Sequence, residues 1–215
     1  MCGIWGRRSS QQIIKDESIN QHFQIIKHRG PDGQGFYENV NCQLGHVLLA
    51  IQDPGNSSQP MVSCSGKQVI VFNGEIYNFK DLNNKYGLKN LRSNSDTEVL
   101  LELLEIYRDK ILKELEGMFA FGLYIVESGE LVLSRDRFGE KPIYYSKRGE
   151  EIAFSSHPKG VAESLKNPIC LEKNLIAHFL KYQYLPSGKS LYSEIKQVNP
   201  GSQLIFGREI GRAHV

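Results

Sequence analysis

The chain has 215 residues, of which 40% are hydrophobic and 23% charged, with a formal charge of +2. That is length for one large core, and too little net charge to imply nucleic acid or an anionic membrane as partner. No apolar stretch approaches the roughly 20 residues a membrane span needs, and the residues after Met1-Cys2-Gly3 do not form a signal-peptide core, so a cytoplasmic location is expected.

In chain order, Ile19, Phe23 and Ile26 recur at helical spacing and predict an amphipathic helix over 18–28 that stops before Gly30-Pro31. Segments 43–51 and 68–72 read as strands. Ser95-Asp96-Thr97-Glu98 fits a capping box and opens a helix with Val99, Leu100, Leu103, Leu104 and Tyr107 on one face. A short helix around 110–116 ends at Gly117. Segments 118–126 and 131–135, then 143–146 and 152–155, flank Gly-containing turns and read as two successive hairpins. Further helices are expected near 157–165 and 172–182. Hairpins without βαβ alternation predict antiparallel sheets covered by helices, an α+β fold, and exclude a doubly wound parallel sheet.

The residue with the clearest chemistry is Cys2. Removal of Met1 would leave a thiol and a free α-amine on one residue, a nucleophile carrying its own base. The other cysteines, Cys42, Cys64 and Cys170, show no CxxC spacing with it, which indicates neither a zinc site nor a disulfide framework. They read as inert core or surface thiols. Asn73-Gly74, at the end of strand 68–72, reads first as a hairpin turn, and alternatively as two donors of an oxyanion hole. Asp96 is favoured in a first helical turn by the macrodipole alone, and could instead hold a substrate ammonium. The run His28-Arg29-Gly30-Pro31-Asp32-Gly33 reads as structural, a helix stop and turn.

The order of these motifs resembles the class II glutamine amidotransferase domain, an N-terminal-nucleophile hydrolase, and within it the glutaminase half of asparagine synthetases. The resemblance rests on Cys2-Gly3-Ile4, the 28–33 run, Gly45-His46, Gln59-Pro60-Met61, Asn73-Gly74-Glu75-Ile76-Tyr77-Asn78, 95–98, Gly117-Met118-Phe119-Ala120-Phe121 and Arg135-Asp136-Arg137-Phe138-Gly139-Glu140-Lys141-Pro142-Ile143-Tyr144-Tyr145. It covers about residues 1–205, with 206–215 as a tail or the start of a further domain. It implies an αββα sandwich of two antiparallel sheets. It also implies Cys2 as nucleophile, Asn73 and Gly74 as the oxyanion hole, and Glu75, Asp96, Leu48 and Ile51 at the substrate-binding positions, with L-glutamine as substrate. No cofactor or metal is implied for this domain. ATP and Mg belong to a synthetase domain, C-terminal or separate, whose Ser-Gly-Gly-x-Asp-Ser pyrophosphate loop does not occur here. Neither nucleic acid nor membrane enters as partner, and a homodimer is among the assemblies the resemblance allows.

Two positions depart from the family pattern. The arginine that would grip the substrate α-carboxylate falls on Leu48, or on Val47 if the register slips by one, and neither is charged. The Ser-Glu that follows the Ala-Phe strand appears as Ser155-Ser156-His157-Pro158. Two readings follow: an active glutamine-hydrolysing domain feeding ammonia to a synthetase, or a glutaminase-like binding module with weakened substrate binding.

Overall fold

The computed structural model describes residues 2–13, 19–50, 58–165, 170–207 and 210–214. In chain order they form strand β1 (Gly3–Arg8), helix α1 (Ile19–Ile26), and strands β2 (Gly33–Glu38), β3 (Cys42–Leu48), β4 (Met61–Val62) and β5 (Gln68–Ile76). Helices α2 (Phe79–Tyr86) and α3 (Asp96–Tyr107) come next, then the hairpins β6 (Gly117–Ile125) with β7 (Glu130–Arg135) and β8 (Tyr144–Arg148) with β9 (Glu151–Ser155). Helices α4 (Pro158–Leu165) and α5 (Lys173–Tyr182) and strands β10 (Lys196–Gln197), β11 (Ser202–Phe206) and β12 (Ile210–His214) complete the described chain. The helices at Lys27–Arg29, a single turn, and Arg108–Glu114, seven residues, are of the tighter 3₁₀ type.

Both hairpins form where the sequence predicts them, and so does α3. The Ser95 side chain accepts from the Glu98 N–H at 3.2 Å, one half of the capping box. The other half is absent: the Glu98 carboxylate turns back to the N–H groups of Arg92 and Ser93. The hairpin reading of Asn73-Gly74 is overturned. Both residues lie inside β5, paired with Ala120 and Phe119 of β6, and neither has the positive φ that the tight hairpin turn demands.

The strands make two six-stranded antiparallel sheets, ordered β10-β8-β9-β1-β3-β2 and β12-β11-β7-β6-β5-β4. Period-2 alternation assigns their faces. In β5, Val69 and Val71 join Ile4, Leu44, Ala120 and Phe154 between the sheets, whereas Ile70, Phe72 and Ile76 pack with Leu100, Leu103 and Leu104 of α3. In the first sheet, Trp5 and Val47 face outward against Phe23 and Ile26 of α1, and Ala153 packs against Val161 of α4. The layers are therefore helix, sheet, sheet, helix, the αββα sandwich of the expectation. No helix among the described residues is long and apolar enough to cross a membrane.

Candidate active site

Alternation along the strands sets which way the site residues face. With Ile4 facing the second sheet and Trp5 facing α1, Cys2 belongs to the inner face. On β3, Val47 faces outward, so His46 and Leu48 face inward. On β5, Asn73 and Glu75 continue the inner row of Val69 and Val71. Strands β1 and β3 stack directly on β5, and the buried His46 lies against the Phe72 backbone, next to Asn73. Cys2, Leu48, Asn73 and Glu75 thus look into one inter-sheet space.

The Cys2 end of β1 is tightly fixed. The Leu49 N–H approaches the Cys2 sulfur at 3.4 Å, and the sulfur lies 3.8 Å from the Leu49 carbonyl. Arg29 Nε donates to the Cys2 carbonyl at 3.1 Å, and Ser156 Oγ accepts from the Ile4 N–H at 3.0 Å. Burial pushes the Cys2 thiol up, while the Leu49 N–H, the N-terminal ammonium, Lys141 and Arg29 each pull it down. The 28–33 run, read as purely structural, therefore also builds the wall around Cys2. Arg29 holds the Cys2 carbonyl, and Asp32 holds the far end of β3 through the Ala50 N–H at 2.9 Å and through its own N–H to the Leu48 carbonyl at 3.0 Å. Only glycine fits at position 30, because a Cβ there would run into the Val47 carbonyl.

On β5 the hydrogen-bond parity singles out Gly74. Phe119, its partner on β6, spends both backbone groups on Asp136: its N–H reaches Oδ2 at 3.3 Å and its carbonyl accepts from the Asp136 N–H at 2.8 Å. Gly74 and Phe119 are therefore a non-hydrogen-bonded pair, and the backbone groups of Phe72, Gly74 and Ile76 point away from β6. The Phe72 N–H is received by Gln59 Oε1 at 2.6 Å and the Ile76 N–H by Asp96 Oδ2 at 2.9 Å. Between these two capped groups stands the N–H of Gly74. A Cβ at this position would collide with the Met118 carbonyl, so the strand approaches β6 as closely as glycine alone permits.

Asn73, 1% exposed, carries a buried amide nitrogen, Nδ2, without a hydrogen-bond partner. Such orphaned donors are rare in folded proteins because each one costs about 1–3 kcal/mol of unrecovered desolvation. The orphaned Asn73 Nδ2 and the Gly74 N–H, which points away from β6, are thus donors on successive residues of β5. Asp96, 8% exposed, accepts from Ile76 and, through Oδ1, from the Thr97 hydroxyl at 3.3 Å. Burial holds its carboxyl above the ordinary range, those hydrogen bonds oppose the rise, and Glu75 nearby adds to it. Glu75 and Asp96 thus form an acidic end to the site. Leu48 presents no charge at the end of β3, and Ile51 lies outside the described residues.

Residue chemistry alone missed three supports: Gln59, which seals β5; His46, pushed down to about 4 by burial and so neutral at pH 7; and Lys141. All three stand in runs that carried the resemblance, and nothing but position would have singled them out. Among the described residues no group of three or more His, Cys, Asp or Glu gathers to hold a metal.

A family model described as glutamine amidotransferase domain matches residues 1–214. The chain is 34% identical over 209 residues to asparagine synthetase [glutamine-hydrolyzing] 1 of Bacillus subtilis, covering 94% of this chain and 33% of that protein. It is 35% identical to putative asparagine synthetase [glutamine-hydrolyzing] 2 of Methanocaldococcus jannaschii, covering 96% and 44%, and 37% identical to asparagine synthetase B of Escherichia coli, covering 90% and 33%. It thus spans a third to under half of these relatives. Among solved structures, glutamine phosphoribosylpyrophosphate amidotransferase of B. subtilis superposes with a TM-score of 0.71 at 17% identity, over 99% of this chain and 49% of that one. That likeness shows a shared fold.

Proposed function

This chain belongs to the glutamine amidotransferase domain family, and on that premise we propose that it hydrolyses L-glutamine to glutamate and ammonia as the glutaminase part of an asparagine synthetase-like enzyme. The observation that carries the proposal is the orphaned Asn73 amide, set with the Gly74 N–H on the β5 edge and on the same inner face as Cys2. Once Met1 is removed, the Cys2 sulfur attacks the substrate side-chain carbonyl carbon. Its proton passes through water to the Cys2 α-amine, and the carbonyl oxygen gains the charge that Asn73 and Gly74 receive. The carbon–nitrogen bond then breaks, the α-amine returns a proton to the leaving nitrogen, and ammonia departs. Water cleaves the resulting thioester to glutamate. Glu75 and Asp96 hold the substrate ammonium.

In this reading the ammonia goes to an ATP- and Mg-dependent synthetase domain, in line with the names and greater length of the relatives, and the enzyme works in the cytoplasm. Leu48 favours a second reading, a glutaminase-like module with weak glutamine binding, because an apolar side chain stands where a guanidinium would grip the α-carboxylate. Intact-mass and labelling measurements test the nucleophile. The mass should lack Met1, and a glutamine-mimicking diazoketone should add one label, at Cys2. Labelling at Cys42, Cys64 or Cys170 instead, or full activity with Met1 retained, overturns the assignment.

A further inference from the structure

No residue of the run Arg135–Tyr145 takes a step in the chemistry above, yet its first half is densely hydrogen-bonded. Asp136 accepts the N–H groups of Phe138 and Glu140 on Oδ1, at 3.0 and 2.9 Å, and those of Phe119 and Lys141 on Oδ2, at 3.3 and 3.0 Å. Arg135 donates to the carbonyls of Lys141, Val198 and Gly139. Gly139 sits at φ +70°, where its missing Cβ leaves room for Pro200 and the Arg135 guanidinium. Within this clamp Arg137, Phe138 and Glu140 are exposed to solvent, but Lys141 turns inward and is only 6% exposed.

A buried lysine is ordinarily paired. Among the described residues no carboxylate makes an ion pair with this one. The chain on either side shows where it is aimed. Ile143, two residues on, packs in the same inter-sheet cluster as Ile4, which is two residues from Cys2. Tyr144 pairs with Ser155, and Ser155 with Trp5 of β1. Tyr144 and Trp5 thus stand level on strands two apart, and three residues before each come Lys141 and Cys2, whose thiol the Lys141 charge pulls down.

We propose that Lys141 is a supporting charge for the nucleophile: the Arg135–Lys141 clamp holds its ammonium, buried and with no carboxylate among the described residues in an ion pair with it, where it favours the ionised Cys2 sulfur. The inference rests on Cys2 being the nucleophile. Its physical content is that burial alone would keep a thiol protonated, and a fixed cation in the same low-dielectric space offsets that. The other groups facing Cys2 are the N-terminal ammonium and the Arg29 guanidinium, with Tyr144 beside Arg29 and the rings of His28 and His157, 6.0 Å apart, beyond it. Asp136 faces Lys141 through its backbone. All of these remain in a Lys141 variant, so the difference between proteins isolates the one charge.

The test is the pH dependence of Cys2 alkylation by iodoacetamide, followed at the Cys2 peptide by mass spectrometry so that the exposed Cys64 and Cys170 do not contribute. Lys141→Met keeps the apolar stem and Lys141→Gln keeps a donor, which gives two neutral variants, each checked for native circular dichroism. The inflection should move up by about one pH unit in a folded neutral variant, as expected for loss of a nearby opposite charge, and Lys141→Arg should keep it near the wild-type value. An unchanged inflection in a folded neutral variant overturns the proposal, as does an equal rise in Lys141→Arg. Because the readout needs no glutamine, the two readings fail separately: wild-type Cys2 inert throughout refutes the nucleophile, and reactive Cys2 with unmoved variants refutes Lys141 alone.

Discussion

Asn73→Ala should separate catalysis from stability. In the native state Nδ2 is a buried donor with no acceptor, so the fold already bears about 1–3 kcal/mol for it. Truncation relieves that cost and opens a small cavity whose penalty runs the other way, so the net change in stability should stay within about 1 kcal/mol, or roughly 2–4 °C in Tm for a chain of this size. Catalysis should respond very differently. One oxyanion-hole donor is worth about 2.7–4 kcal/mol, which at about 1.36 kcal/mol per decade lowers kcat by roughly 10²–10³-fold. KM should change little, since the donor meets charge that exists only in the transition state. Glutamate release, coupled to glutamate dehydrogenase, measures the rate, and thermal unfolding of the same preparation measures stability. A raised KM with kcat intact makes Asn73 a binding residue, and a Tm lower by about 10 °C or more makes its amide a structural group. Either result refutes the reasoning.

Two further predictions address the substrate's α-groups. Leu48→Arg should lower KM for glutamine by at least about tenfold, because a guanidinium at the end of β3 supplies a charge-assisted grip on the carboxylate; a low KM in the wild type would instead assign that grip to another cation, and Arg29, with a buried and unpartnered Nη2 near Cys2, would be the one. Asp96 must be ionised to hold an ammonium, and burial raises its carboxyl, so KM should climb as pH falls, beginning above the ordinary carboxylate range. Asp96→Asn should flatten that limb, and an unaltered limb excludes Asp96 as its source. The same shift has a stability sign: the folded state binds this proton more strongly than the unfolded chain, so the Asp96 penalty is present at neutral pH and lifts as pH falls through the raised value.

The sequence carried the parts of the fold that follow from local patterning. The two hairpins were legible because alternation brackets a glycine turn, and α3 because Ser95 is a side-chain cap with an apolar stripe behind it. β1 and β2 were not, since Gly3, Gly6, Gly33 and Gly35 and the arginines of β1 lower strand propensity, and these strands exist through what they pack against. β12 had no signal either, as Gly207–Val215 shows no alternation, and its pairing with β11 supplies the register. Asn-Gly misled for a different reason. The dipeptide is a turn signal only where both residues can take positive φ, and here nine ladder pairs between β5 and β6 hold them extended. Of the site, Cys2 was legible from its position alone, whereas Gln59, His46 and Lys141 act across long sequence separations that no local spacing encodes.

The site owes its donors to an unfinished sheet edge. β4 contributes only Met61 and Val62, opposite Ile70 and Val69, and Pro60 just before it has no N–H with which to extend the ladder. From Phe72 onward the outer edge of β5 pairs with no strand among the described residues, a condition that proteins usually blunt because open edges recruit other strands. Here the edge is closed one group at a time. Gln59 takes the first N–H and Asp96 the third, and the one between them is Gly74, beside the orphaned amide of Asn73. Had the ladder that pairs Met61 with Ile70 run four residues further in register, the Gly74 N–H would have met a backbone carbonyl and the edge would have held nothing but a ladder. In the proposed function, the short strand, the proline and the two side-chain caps are what leave the Asn73 amide and the Gly74 N–H to a substrate oxygen.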